Sequence, residues 1–171
     1  MEVKQAQLCD VKQVLDIIEQ NQQYLKEEGI DQWQNGYPNL DSITEDVEQG
    51  NCYVLISDKA IVATAAIIVG IEDTYNIINN GQWFTKDSPY ITIHRIAVLP
   101  ELKGTGLANH FLDFCFKTFT NCASIRIDTH ADNISMQKFL ANNGFNYCGE
   151  ITLNDGSPRI AFELLKQNYC N

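Results

Sequence analysis

Hydrophobic positions recur at helical spacing early in the chain and at alternating spacing later. Behind Asp10, a good N-cap, Val11, Val14, Leu15 and Ile18 mark one face of a helix that runs to about residue 28 and stops at Gly29. Its polar face carries Asp16, Glu19, Glu27 and Glu28. Residues 29–38 are rich in turn formers yet hold Trp33 and Tyr37, the mark of a loop that packs over something or is functional. Asp41 predicts a second, short helix with Ile43 and Val47 inward, ending at Gly50. The period then changes to two. Residues 52–57 and 60–69 read as a hairpin across Asp58-Lys59, and 90–98 as a strand ended by Pro100. Residues 72–89 give no clear element, although Asn79-Asn80-Gly81 signals a turn and Trp83-Phe84 can pack back. A helix is predicted from the glycines at 104–106 to about 119, a strand over 124–129, and a helix from Asp132 or Asn133 to about 143. Gly144 then stands where a left-handed residue is wanted. Strands over 145–153 and 159–166 flank the turn Asp155-Gly156, and residues 3–7 read as a short first strand. With no repeat or linker, residues 1–171 form one mixed α/β domain with a central sheet.

Composition narrows the partners. Hydrophobic residues make up 44% and charged residues 20%, ordinary for a folded domain. Twelve basic against 22 acidic residues give a net charge of −10, which argues against nucleic-acid binding and against a basic membrane-surface protein. The charge is uneven: residues 1–50 hold 3 Lys and 11 acids, a net −8, and the remainder is −2. Either the acids form a solvated helix face or they attract a cationic partner. The longest nearly apolar run, 60–71, is far short of the roughly 20 residues of a membrane span. Acids at 2, 10, 16 and 19 interrupt any secretory signal, so a cytoplasmic protein is expected. Cysteines 9, 52, 115, 122, 148 and 170 form no C-x-x-C pair and no zinc spacing. They read as reduced thiols, and no metal is expected.

The chemical signal lies after residue 98. Gly104 and Gly106 let backbone N–H groups approach a ligand at a helix start, which suits an anion such as phosphate. A dinucleotide fingerprint would need a third glycine where Asn109 stands, and a Walker loop would need Lys-Ser/Thr where Leu107-Ala108 stand. The same spacing also serves a plain helix entry. Arg95-Ile-Ala-Val-Leu-Pro-Glu-Leu-Lys-Gly-Thr-Gly-Leu107 resembles the coenzyme A loop of the GNAT superfamily of N-acetyltransferases, Gln/Arg-x-x-Gly-x-Gly/Ala after a strand ending in Ala-Val. Asn133, followed eleven residues later by Gly144-Phe145, resembles that family's closing motif, and the two motifs cover about residues 90–150. Two departures stand out. Glu101 occupies the Gln/Arg position, so its carboxylate is expected to turn to solvent and Lys103 to supply positive charge. Leu140 stands where many members carry a Tyr near the coenzyme sulfur.

The resemblance implies a GNAT-like α/β domain, with a mixed, mostly antiparallel twisted sheet of six to seven strands and about four helices. It implies transfer of an acetyl group from acetyl-CoA to a primary amine by direct attack. Coenzyme contacts are expected from Ile96, Ala97 and Val98, from Lys103, Gly104, Thr105, Gly106, Leu107 and Ala108, and from Asn133. Backbone near Ala97-Val98 would face the developing oxyanion. His94, on the strand face of Thr92 and Ile96, is the preferred base, because arylalkylamine acetyltransferases of the superfamily carry a catalytic His four residues before the strand's end. Thr92 falls where histone-type relatives carry a base Glu. His130 is the runner-up and His110 reads as surface. Ser135 and Tyr147 are weaker candidates to protonate the thiolate. Trp33 and Tyr37 are expected to bind the acceptor, a cationic small-molecule or peptide amine, or else to pin their loop onto the core. A homodimer fits the family. Rival readings are a non-catalytic acyl-CoA-binding or sensing module and an interaction domain without the cofactor.

Overall fold

In the computed structural model, which describes residues 1–169, the alternating segments become seven strands. They are β1 (Glu2–Gln5), β2 (Cys52–Ser57), β3 (Ala60–Val69), β4 (Tyr90–Val98), β5 (Ser124–Thr129), β6 (Asn146–Thr152) and β7 (Pro158–Leu165). The helices are α1 (Val11–Glu27), α2 (Leu40–Glu48), α3 (Asn109–Thr118), α4 (Ile134–Asn142) and a single turn, α5 (Lys166–Tyr169). Strand order is β1-β2-β3-β4-β5-β7-β6. β4 and β5 pair in parallel over Tyr90–Thr92, whereas β1/β2, β2/β3, β5/β7 and β6/β7 are antiparallel. The mixed, mostly antiparallel sheet is the one expected. The short α5 was not foreseen, and Cys170 lies outside the described residues.

The chain divides into two units, with β3, β4 and α3 each contributing to both. The first comprises Met1–Ile67 and His94–Phe114. Its core packs Val14, Ile17 and Ile18 of α1 and Ile43 and Val47 of α2 with Val54, Ile61 and Ala97 from the strands. Each large aliphatic side chain buried this way contributes about 1.5–3 kcal/mol. Asp10 is the N-cap residue of α1, as expected, although its side chain makes no cap bond to the helix; the starts of α2 and α3 differ from expectation. Asn39, not Asp41, caps α2: its Oδ1 accepts from Ser42 N at 3.0 Å, and Ser42 Oγ accepts from Asn39 N at 2.9 Å. The Asp10 carboxylate accepts from Gln7 N at 2.9 Å and closes a 3₁₀ turn ahead of α1. The predicted helix over 104–119 begins only at Asn109, because Gly104 (φ 77°) and Gly106 (φ 83°) are left-handed and break helical continuity.

The second unit comprises Ile68–Ile93 and the chain from Cys115 onward. Here the unassigned stretch acquires its reason. Apart from a 3₁₀ turn at Asp73–Tyr75, residues 70–89 form a strap held by side chains and by one backbone bridge, Asn79 to Glu150. Tyr75 donates its hydroxyl to Asp128 at 2.7 Å, and Trp83 donates Nε1 to Tyr75 O at 2.9 Å. Backbone N–H groups of Phe84 and Thr85 donate to the fully buried carboxylate of Glu163. Arg126 pairs with Glu163 at 3.1 Å and stacks on Trp83 and Tyr90, 4.2 and 3.8 Å from their ring centres. A buried carboxylate survives only with such partners. Burial raises the pKa of Glu163, but hydrogen bonds from Thr85 and Ser124 and the charge of Arg126 outweigh it, so the group stays below the usual carboxylate range.

Candidate active site

The distal half of β4 is irregular. Arg95 has φ +51°, a conformation costing a bulky residue about 1–2 kcal/mol. It is held from α2: Arg95 Nε and Nη2 donate to Asp46 Oδ2 and Oδ1, both at 2.7 Å, a bidentate pair with each side chain under 15% exposed. Nη1 donates to the hydroxyl of Tyr37. Burial lowers the Arg95 pKa, but Tyr37 and Asp46 together overcome it and raise it. A second anchor comes from α1. Buried Asn21 donates Nδ2 to Val98 O at 3.0 Å as well as to Ile17 O. Leu99 N then donates to Val62 O at 3.0 Å, so the strand enters its loop on fixed footing.

That loop is built to present amides. A 3₁₀ turn at Pro100–Leu102 leads into the two left-handed glycines. A Cβ at Gly104 would meet nothing within 4 Å, and one at Gly106 only Asn109 Nδ2 at 3.9 Å. Glycine is therefore demanded by backbone conformation, and the space before it is open. The N–H groups of Gly104, Gly106, Leu107 and Ala108 donate to no described residue, whereas Thr105 N and Asn109 N bond within the loop. Four unused donors ahead of α3 can serve as an anion cradle, favoured by the helix dipole. Glu101 is exposed, as expected. Lys103 is turned onto α1: its Nζ lies 3.3 Å from the centre of the Tyr24 ring, and burial lowers its pKa to about 8.

On the other side of α1 the loop after Gly29 folds back on the helix. Gln22 Nε2 donates to Pro38 O at 2.8 Å, and Gln34 Nε2 donates to Gln22 O at 3.0 Å. Trp33 packs on the core and also lines an open groove of about 270 Å³ with Glu19, Gln22, Gln23, Lys26, Gln34 and Gly36. Tyr37 remains 42% exposed. Trp33 thus both pins the loop and faces the groove.

Residues 16–145 match the acetyltransferase (GNAT) family. The chain belongs to the GNAT acetyltransferase family. A GNAT acetyltransferase from Streptococcus agalactiae is 34% identical with a TM-score of 0.88, the match covering 96% of this chain and 95% of that one. An aminoglycoside acetyltransferase in complex with coenzyme A shares the fold at 16% identity and a TM-score of 0.68, covering 98% and 95%. The ribosomal-protein-S18-alanine N-acetyltransferase of Escherichia coli shares it at 15% and 0.62, covering 96% and 92%. No curated protein matches. GNAT proteins use acetyl-CoA, and the cradle here fits its phosphates because its donors belong to the backbone and need no particular side chain.

Within this GNAT chain the predicted residues fall in distinct settings. In the first unit, His94 is half-buried, followed by half-buried Ile96, buried Ala97 and half-buried Val98. Thr105 turns its hydroxyl to Leu102 O at 2.6 Å, and Leu107 and Ala108 lead into α3. His110, read as surface, is half-buried at the start of α3. In the second unit, Thr92 is fully buried and its hydroxyl has no partner among the described residues, which leaves it without access to an acceptor. Asn133 is buried and caps α4, accepting from Met136 N at 3.0 Å. Ser135 is exposed in the first turn of α4, and Tyr147 is half exposed against the edge of Phe162. Leu140 is fully buried. His130 accepts from Asp132 N at Nδ1, 3.1 Å, so that nitrogen is occupied in the turn before α4. Among the described residues no cluster of three or more His, Cys, Asp or Glu side chains can hold a metal ion. Arg95, Asp46 and Asn21 were not singled out from sequence. Their signal is a polar residue on an apolar stripe: Asn21 follows Ile17 and Ile18 at helical spacing, and Asp46 lies between Ile43 and Val47.

Proposed function

We propose that the protein moves the acetyl group of acetyl-CoA to a primary amine, a cationic small molecule or a peptide amine, by direct attack in a ternary complex. The observation that carries this is the cradle of four unused amides at Gly104, Gly106, Leu107 and Ala108, immediately after β4, in a GNAT chain. Acetyl-CoA supplies the activated acetyl thioester. The loop amides hold its phosphates, and backbone donors at 96–98 face the acyl oxygen. His94 takes a proton from the substrate ammonium, directly or through water, and the neutral amine then attacks the thioester carbonyl. A thiolate leaves readily, so the absence of a Tyr at Leu140 is tolerable.

Amide orientation in the groove supports a cationic acceptor. Gln22, Gln23 and Gln34 all turn their NH₂ groups onto atoms that can only accept, namely Pro38 O, Glu27 Oε1 and Gln22 O. That chemistry fixes which end is oxygen. No described residue donates to the three amide oxygens, and with Glu19 and the face of Trp33 they suit an alkylammonium with several N–H donors. Lys26 limits the site's negative charge. An aminoglycoside and the alanine of a ribosomal protein are acceptors named for proteins of the same fold, which spans the proposed range.

The buried Thr92 and Leu140 favour one second reading, a non-catalytic acyl-CoA-binding module. Purified protein with acetyl-CoA and a panel of amines, followed by free-thiol release, separates the two. Thiol release that depends on the amine is expected; binding without release supports the module. His94→Ala is expected to lower kcat at least about tenfold, within the range for losing an acid–base group. An unchanged pH–rate profile in that variant removes His94 from the mechanism.

A further inference from the structure

One guanidinium joins three elements of the first unit. Arg95 lies in β4, Asp46 in α2 and Tyr37 in the aromatic loop. The bidentate grip on Asp46 fixes the plane of the guanidinium, so its remaining edge has one direction in which to donate. Tyr37 accepts there. The bond is charge-assisted, the stronger class of hydrogen bond. The tyrosine also lies beside Arg95 with its ring centre 5.8 Å from Cζ. The neighbouring fastenings of the loop, at Pro38 and Gln34, are neutral amide bonds to the side chain or backbone of Gln22. Tyr37 follows left-handed Gly36, a position that leaves the backbone permissive.

We propose that Arg95 is a positioning residue that locks the loop carrying Trp33 and Tyr37 to β4, so that capture of the amine depends on the Arg95–Tyr37 bond while coenzyme binding does not. The inference rests on the acetyl-transfer reading for its consequence, but not for its geometry. The Asp46 carboxylate is consumed in orienting Arg95 and is not part of the acceptor's charge environment. Arg95 does not touch either substrate and acts through Tyr37.

Two readouts test this. Tyr37→Phe removes the hydroxyl and leaves both the ring and the Arg95–Asp46 pair. Amide hydrogen exchange at residues 31–37 is expected to quicken about fivefold, with β4 unchanged, as for local loosening of a loop. The amine KM is expected to rise about tenfold, the scale of one charge-assisted hydrogen bond, with acetyl-CoA affinity held within twofold. Arg95→Lys keeps the charge but loses the planar fork, and is expected to raise the amine KM similarly. Adding Tyr37→Phe to Arg95→Lys is expected to raise it no further, since both remove the same link. Unchanged exchange in Tyr37→Phe overturns the positioning role whether or not the protein transfers acetyl groups. Faster exchange with unchanged amine KM, or additive effects in the double variant, overturns the tie to amine capture. If the wild type acetylates no amine, the exchange result still decides the positioning role, and the acetyl-transfer reading alone fails.

Discussion

Lys103 illustrates how one side chain can serve the loop in two ways. Lys103 precedes Gly104 in the loop, and its ammonium rests on Tyr24 of α1 in a partly desolvated place. Burial lowers its pKa to about 8, partly opposed by Glu28. Below that value the group is cationic and, if the loop holds the coenzyme as proposed, would favour the phosphates of acetyl-CoA; above it the charge is lost. Affinity for acetyl-CoA, measured by calorimetry, is therefore expected to weaken as pH rises from 7 to 9. Lys103→Met should bind more weakly at pH 7 and show a flatter profile over that window. A wild-type profile as flat as that of the variant would show that Lys103 contributes no charge to the coenzyme. The sequence supplied the residue and its sign, but not the tyrosine it rests on, because Tyr24 and Lys103 are far apart in the chain and only the folded α1 brings them together.

Among the elements, the strap over 70–89 is gathered at Phe84 and Thr85 by a single carboxylate. Glu163 accepts from Phe84 N, Thr85 N, Ser124 Oγ and Arg126 Nε. Removing it leaves Arg126 buried without its anion, a change that costs about 3–5 kcal/mol. Glu163→Ala is expected to lower unfolding stability by that order in urea titration, and a loss under about 1 kcal/mol would mean that the strap is held by Trp83 and Tyr75 instead. The pH dependence has a definite sign. The folded pKa of Glu163 is depressed, so its contribution is present above the ordinary carboxylate value of about 4.3 and is lost as pH falls through the folded value. The strap also shows where sequence reasoning stops. Strands β2, β3, β4 and β5 were legible to the residue, because alternation and β-branched runs are local patterns. The strap has no period, and its order comes from Arg126, Asp128, Glu150 and Glu163 on the strands it crosses, which no local pattern links to it. The glycine loop was legible because backbone conformation is written in residue type. The Arg95 clamp was not, because its three residues come from three separate segments.

At the scale of the whole molecule, the net charge of −10 bears on the cationic acceptor proposed above. Eleven acids fall in residues 1–50, which form the helices and aromatic loop of the first unit. Asp46 is neutralised by Arg95, and Asp16, Glu19, Glu27, Asp41, Glu45 and Glu48 are exposed on α1 and α2. Solvated carboxylates hold little in place, since exposed pairs are worth at most about 1 kcal/mol. Collectively, however, they would set a field favourable to the cationic amine of the proposed reaction. That field reaches about 10 Å at 0.1 M salt and falls to about 4 Å at 0.5 M, by the inverse square root of ionic strength. Raising salt across this range is therefore expected to increase KM for a cationic amine about threefold or more, with kcat nearly unchanged, because steering acts on encounter. An amine of low basicity, neutral at the assay pH, provides the control and should show little change. Acetyl-CoA is an anion approaching an acidic protein, so screening should leave its KM unchanged or lower it. A salt-independent KM for the cationic amine would assign the eleven acids to solvation alone and leave recognition to the amide oxygens and Trp33 of the groove.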